Sequence, residues 1–134
     1  MKPIIDGIVA KVETSNTFNT AIGGRFYNDE APQSATFPYA VLYSLDMDFT
    51  WTMDSSINNN LVQIRCLSKT RDAAEIEDLR TKLLTLLDYK TTTLTVTGYS
   101  FIFMKQISEE GPTRIDGVWN YNVRYEVEVE KSDS

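Results

Sequence analysis

Acidic side chains are the residues of this sequence best suited to chemistry, because the chain contains no histidine. The usual general base, Ser–His and Cys–His nucleophiles, and most zinc and copper sites are therefore excluded. Asp46 and Asp48 alternate along an apparent strand and would point to the same face. With Glu110 they could bind a divalent cation or serve a small carboxylate-dependent enzyme. The pair lacks a third converging carboxylate and a glycine turn, so a solvated strand face is the simpler interpretation.

The remaining motifs indicate structure rather than catalysis. Gly23-Gly24 lacks the spacing of a phosphate-binding loop and is typical of a helix C-terminus. Cys66 lies in a strand pattern, where a buried apolar residue is expected rather than a reactive thiol. Surface charge or protection of a sheet edge explains the other glutamates. These glutamates are Glu109, Glu126, Glu128 and Glu130.

Composition restricts the class of protein. A net charge of −6 and a pI near 4.6 argue against a protein that binds the phosphate backbone, so we expect no specific nucleic-acid binding. No run approaches the roughly 18 apolar residues of a membrane span, and no membrane partner is expected. We expect neither a cofactor nor a metal. The length predicts a single domain over residues 1–134, with residues 131–134 as a disordered tail.

Hydrophobic periodicity predicts the element order α-α-β-β-β-α-β-β-β. The fold class is therefore α+β, with a mostly antiparallel sheet, a long protruding hairpin and helices packed on one face. Residues 108–117 are expected to form a flexible connection, and residues 54–60 a polar turn. The predicted helices cover residues 3–12, 16–22 and 71–88, and the predicted strands cover residues 25–27, 39–53, 61–68, 93–96, 99–107 and 119–130.

The strand over residues 39–53 is too long for the domain that carries it. Fifteen residues would span roughly 50 Å, whereas a compact chain of this size has a diameter of roughly 36 Å. The strand must therefore bend, break or overhang as an arm. Phe49, Trp51 and Met53 would lie on one side of such an arm. Burial in the core and contact with a partner are equally good explanations for this apolar row.

The order of several short segments resembles the tail-completion proteins of long-tailed phages and prophages, also called tail-terminator or tail-to-head joining proteins. The resemblance covers nearly the whole chain and rests on order and spacing rather than on any single segment. The segments include Gly24-Arg25-Phe26-Tyr27, Ala31-Pro32, Phe37-Pro38-Tyr39-Ala40-Val41, Val62-Gln63-Ile64-Arg65-Cys66-Leu67-Ser68 and Asp116-Gly117-Val118-Trp119.

This resemblance implies an α+β virion protein without catalytic activity. It implies a ring, six-fold in this family, that completes the head-proximal end of the tail tube and joins it to the head connector. The expected partners are other copies of the chain, the tail tube protein and the head connector or head-completion protein. The chain would be a monomer in the host cytoplasm before assembly and would act at the head–tail junction of the virion.

We expect two surfaces to carry these contacts. The first is the apolar row Phe49, Trp51 and Met53, which would contact a neighbouring subunit or the tube. The second is the loop over residues 28–37, including Asn28, Asp29, Glu30 and Phe37, which would lie near a ring interface. Two alternatives stay open: a monomeric module that binds a peptide at a free sheet edge, and the carboxylate-dependent enzyme. Self-association would distinguish the ring from the peptide-binding module, and a melting temperature that depends on metal ions would favour the enzyme.

Overall fold

The computed structural model describes residues 2–48 and 57–131. These residues form three helices and five strands. The elements are α1 (Lys2–Glu13), α2 (Phe18–Ala21), β1 (Phe26–Asn28), β2 (Tyr39–Asp48), β3 (Ile57–Ser68), α3 (Ala74–Leu86), β4 (Tyr99–Ile115) and β5 (Val118–Lys131).

The five strands form one sheet in the order β1-β2-β3-β5-β4. β1 pairs in parallel with β2, and the other three pairings are antiparallel. The predicted α+β class with a mostly antiparallel sheet is therefore confirmed. β2 and β3 form the predicted hairpin and remain paired up to Asp48 and Asn59. The predicted continuation of the strand over residues 49–53 lies outside the described residues.

The helices contribute their apolar side chains to one face of the sheet. Ile4, Ile8 and Val12 of α1 join Ile64 of β3 and Val123 of β5 in a single buried cluster. The Ser15 hydroxyl accepts the Phe18 N–H at 3.0 Å at the start of α2. α2 ends at Ala21, two residues before Gly23-Gly24, whose positive φ values fit the predicted helix C-terminus. The helix predicted over residues 71–88 is present as α3, in which Ile76, Leu79 and Leu83 are fully buried, as is Leu87 directly after it.

The predicted strand over residues 93–96 is wrong. Residues 93–96 form no strand, although Leu94 and Val96 are buried in the core. β4 instead runs through the predicted flexible connection, and the chain turns at Asp116-Gly117, where both residues have positive φ. Gly and Pro indicated a loop, but a β-bulge between Glu110 and Thr113 accommodates Pro112. An edge strand tolerates a proline, which has no N–H to donate, because the outer side of such a strand is not paired.

Several boundaries also differ from the prediction. α3 begins at Ala74 and not at residue 71, and the Asp72 side chain accepts the Ala74 N–H. β3 begins at Ile57, so part of the predicted polar turn is paired strand. Lys131 belongs to β5 and not to a disordered tail, whereas residues 132–134 lie outside the described residues. Long-range pairing decides the two strand boundaries, and a local pattern does not contain it, whereas the start of α3 depends on the local Asp72 contact.

Gly7 brings α1 close to the segment after α3. A Cβ added at Gly7 would lie 2.8 Å from the Thr95 carbonyl oxygen, a contact that a backbone group cannot relieve by rotating. Alanine is normally favoured over glycine in a helix by about 1 kcal/mol. At this position the steric conflict opposes that gain, so the glycine is required for packing.

We therefore expect Gly7→Ala to lower the free energy of unfolding by about 1–3 kcal/mol in spite of its higher helix propensity. Urea denaturation monitored by circular dichroism measures the change. Glu13→Ala in the same helix is the control, because Glu13 is exposed and its replacement should change stability by less than about 0.5 kcal/mol. A stabilised Gly7→Ala protein would contradict the close approach of α1.

Candidate functional site

The sheet has a second face, opposite the helices, which we call the open face. Alternation along β2 places Ala40 and Leu42 in the core and Tyr39, Val41 and Tyr43 on the open face. The register between strands extends the open face across β3 and β5. Its residues from those two strands include Gln63, Arg65, Asn122 and Arg124.

Aromatic side chains cover the β1 end of the open face. Tyr39 contacts Tyr27 with ring centroids 5.8 Å apart and Phe37 with centroids 5.1 Å apart. Lys69 lies 5.6 Å from the Phe37 ring centroid. Burial, followed by the neighbouring Tyr43 and Tyr27 hydroxyls, raises the pKa of Tyr39. This aromatic cluster (Tyr27, Phe37 and Tyr39) is a half-buried surface with cations at its rim.

Hydrogen bonds fix the ends of the predicted interface loop, residues 28–37. The Arg25 guanidinium donates from Nε to the Pro38 carbonyl at 3.0 Å, next to Phe37. The Asp29 N–H donates to the Leu42 carbonyl at 2.8 Å. The loop is thus anchored to the sheet at both ends.

The structure separates the four predicted loop residues into two groups. Phe37 belongs to the aromatic cluster, whereas Asn28, Asp29 and Glu30 are exposed at the end of β1. Asp29 has a φ of 68°, a conformation that aspartate tolerates better than most residues. The other predicted interface residues, Phe49, Trp51 and Met53, lie outside the described residues.

The acidic residues considered for catalysis do not form a described site. Glu110 is exposed on β4, and Asp46 and Asp48 belong to β2 with side chains outside the description. Among the described residues, no three Asp, Glu or Cys side chains are placed to hold a metal ion. Cys66 is fully buried, and burial raises the pKa of its thiol to about 12. No helix of the described chain is long and apolar enough to cross a bilayer.

A polar network occupies the centre of the open face. Gln63 and Arg65 both donate to the Asn122 side-chain oxygen, at 3.1 and 2.9 Å, and Arg124 donates to the Gln63 side-chain oxygen at 3.0 Å. Two surface depressions of about 250 and 390 Å³ flank Asn122, and Glu110 lines both. The sequence analysis missed this network. The sequence places polar residues on the outward faces of both strands, but it does not indicate that β3 pairs with β5.

Glu109 attaches the edge strand β4 to α3. It accepts two hydrogen bonds from Arg80, at 2.7 and 3.1 Å, and one from the Tyr121 hydroxyl at 2.5 Å. The Arg80 hydrogen bonds, followed by the Tyr121 bond, lower the pKa of Glu109. Burial and the same carboxylate raise the pKa of Tyr121. Glu109 is thus an exposed charge on an edge strand, as interpreted from the sequence, but it also forms an ion pair with Arg80 of α3.

Comparison with known proteins identifies the fold and the family. A sequence profile described as tail completion protein gp17 matches residues 6–126. The chain belongs to this family. No curated protein matches it significantly. As a tail completion protein it is a structural component of the phage tail and of the virion.

Two solved structures share its fold. One is the bacteriophage SPP1 gp17 protein, with a TM-score of 0.63, 18% identity, and coverage of 99% of this chain and 91% of that chain. The other is a chain of the virion of a native gene transfer agent particle, with a TM-score of 0.73 and 9% identity. That alignment covers 93% of this chain and 92% of the other. The α+β architecture is therefore common to these proteins at low identity.

The Glu109 contacts make a pH-dependent contribution to stability. A carboxyl group whose pKa is lowered by folding stabilises the protein above its unfolded pKa of about 4.3, and the contribution is lost as the pH falls through the lowered value. We expect Glu109→Gln to cost about 1 kcal/mol at pH 7, because Glu109 is partly exposed.

Urea denaturation of both proteins from pH 7 to pH 2 tests this expectation, and the difference between them should shrink toward the acid end. Glu130→Gln on the exposed end of β5 is the control and should change little at any pH. If the difference in the free energy of unfolding did not vary with pH, the charge of Glu109 would not be what stabilises its contacts with Arg80 and Tyr121.

Proposed function

We propose that this protein completes the head-proximal end of the phage tail tube and joins the tail to the head connector. The observation that carries this proposal is the tail completion profile match over residues 6–126. The fold it shares with a chain of a gene transfer agent virion supports a place in an assembled particle. In this proposal residues 1–134 act as one domain without catalytic activity. The protein is made in the host cytoplasm and acts at the head–tail junction.

We further propose that it acts as a ring, with six copies as in the family that the sequence resembles. A ring requires two different surfaces on each subunit, because each subunit contacts its two neighbours through a heterologous interface. The ring closes when the rotation between neighbours is a whole fraction of a full turn. The open face offers an aromatic cluster and a polar network, and β4 forms the edge of the sheet away from β1. The remaining partners are the tail tube protein and the head connector or head-completion protein.

Electron microscopy of particles from a phage or prophage with this gene deleted tests the function. We expect filled heads beside separate tails, restored to joined particles when the wild-type gene is supplied. Overlong tails would favour control of tail length over joining. Normal virions would contradict the assembly role altogether.

The apolar row Phe49, Trp51 and Met53 remains the proposed contact with a neighbouring subunit or with the tail tube. We expect the double variant Phe49→Ala/Trp51→Ala to abolish complementation of the deletion while its monomer still melts cooperatively. Thermal melting followed by circular dichroism separates the two effects. Loss of cooperative melting would instead place these side chains in the core and remove them from the interface.

A monomeric module that binds a peptide at a sheet edge is the second candidate. In the described chain the outer edge of β4 pairs with no strand, and Ile102, Ile107 and Ile115 are exposed along it. Three register shifts interrupt this strand, however, and bulges of this kind disfavour strand addition. Sedimentation at high concentration distinguishes the candidates, because only the ring predicts self-association.

A further inference from the structure

Arg65 and Arg124 are held side by side on the open face by neutral groups. Arg65 Nε donates to the side-chain oxygen of Asn122, and Arg124 Nε donates to that of Gln63. The Gln63 side-chain amide also donates to the Asn122 side-chain oxygen. The Arg65 guanidinium also lies 5.7 Å from the Tyr43 ring centroid. The two side chains are therefore oriented before any ligand arrives, which reduces the entropy lost on binding.

Within the described residues, neither guanidinium of this pair forms an ion pair, and their terminal nitrogens form no hydrogen bond. Glu110 lines the adjacent depressions but bonds to neither guanidinium. The fork of an arginine matches a carboxylate, so the pair is suited to an acidic segment of a protein.

A matching acidic segment lies at the β1 edge of the same sheet. Asp29 and Glu30 are exposed and, within the described chain, form no ion pair. The Asp29 N–H to Leu42 carbonyl bond and the Glu30 N–H to Asn28 carbonyl bond, both 2.8 Å, fix the backbone of this turn. Both sides of the contact are therefore preformed.

The two surfaces lie at the same level along the strands. β1 pairs Asn28 with Leu42, β2 pairs Leu42 with Ile64, and β3 pairs Ile64 with Val123, the neighbour of Arg124. The acidic turn and the arginine pair are thus separated mainly across the sheet, by three strand spacings or roughly 14 Å between β1 and β5. A second copy whose β1 edge faces the open face would bring its acidic turn over the arginine pair.

We propose that Arg65 and Arg124 bind the carboxylates of Asp29 and Glu30 of a second copy of this chain. The contact is heterologous, so each subunit gives its acidic turn to one neighbour and receives a turn from the other. This inference rests on the proposed ring and names the charged contact within it.

Charge reversal tests the contact in the complementation assay. The receiving variant is Arg65→Glu/Arg124→Glu, and the donating variant is Asp29→Asn/Glu30→Lys, in which asparagine keeps the left-handed backbone at position 29. Each variant alone should reduce joined particles at least tenfold, because like charges then face each other. Both variants supplied together should restore joining, since alternating copies make every contact complementary.

The control variant is Arg71→Glu/Lys90→Glu, which changes the charge by the same amount as the receiving variant at two exposed positions away from the open face network. It should join particles like the wild type. Thermal melting checks that each variant folds. If the receiving variant fails to fold, the donating variant still tests the contact, because it leaves the amide network unchanged.

Disulfide trapping provides a direct measurement. Glu30→Cys combined with Arg124→Cys should give a ladder of covalent multimers on non-reducing gels of assembled particles, and neither single variant should. A bond within one chain is excluded, because Cα atoms more than about 7 Å apart cannot be bridged. The native Cys66 is fully buried and does not compete.

The outcomes separate this inference from the function on which it rests. If wild-type protein fails to restore joining, the proposed function is wrong. If wild type restores joining and both charge variants do so as well, only the arginine contact is wrong. If the receiving variant fails and the mixture does not rescue it, the acidic partner is another virion protein and the second-copy proposal is overturned. Absence of the disulfide ladder would likewise overturn it.

Discussion

Burial of one face of a five-stranded sheet beneath three short helices is the constraint on which the rest of the described structure depends. The helices are too short to be stable alone, so their apolar stripes must pack on the strands. Val62, Ile64 and Cys66 of β3 and Tyr121, Val123 and Tyr125 of β5 supply the facing side chains, all of them essentially inaccessible to solvent. Because side chains alternate along a strand, this burial directs the residues between them to the open face.

The open face is therefore both a consequence of the core and the surface best suited to function. Its polar network satisfies side chains through amides and guanidinium groups rather than through carboxylates. An acidic chain that leaves two fixed arginines without a described ion pair presents an unusual local charge. Recognition by such a surface depends on complementary charge and preformed geometry.

The edges of the sheet limit how copies can associate. β1 is only three residues long and is followed by the anchored acidic turn. β4 is long but bulged, and Glu109 attaches it to α3. Simple extension of the sheet from one copy to the next is thus disfavoured at β4, and contacts through side chains on the open face are favoured. Family membership and shared fold at low identity agree with conservation of architecture rather than of individual residues.

Local patterns determined the fold class, the helix α3, the β2–β3 hairpin and the strand β5, because each depends on the period of a single element. The same patterns placed Phe37, Asn28, Asp29 and Glu30 in one loop. Only the tertiary structure separated Phe37 from the other three. It also decided that residues 108–115 are strand, that Glu109 binds Arg80 and Tyr121, and that β3 lies beside β5. These features depend on pairing between distant segments. The frequency of Gly and Pro in loops does not reveal that an edge strand can contain both residues. The sequence by itself thus determined the faces of the elements, and tertiary pairing decided which polar residues meet on them.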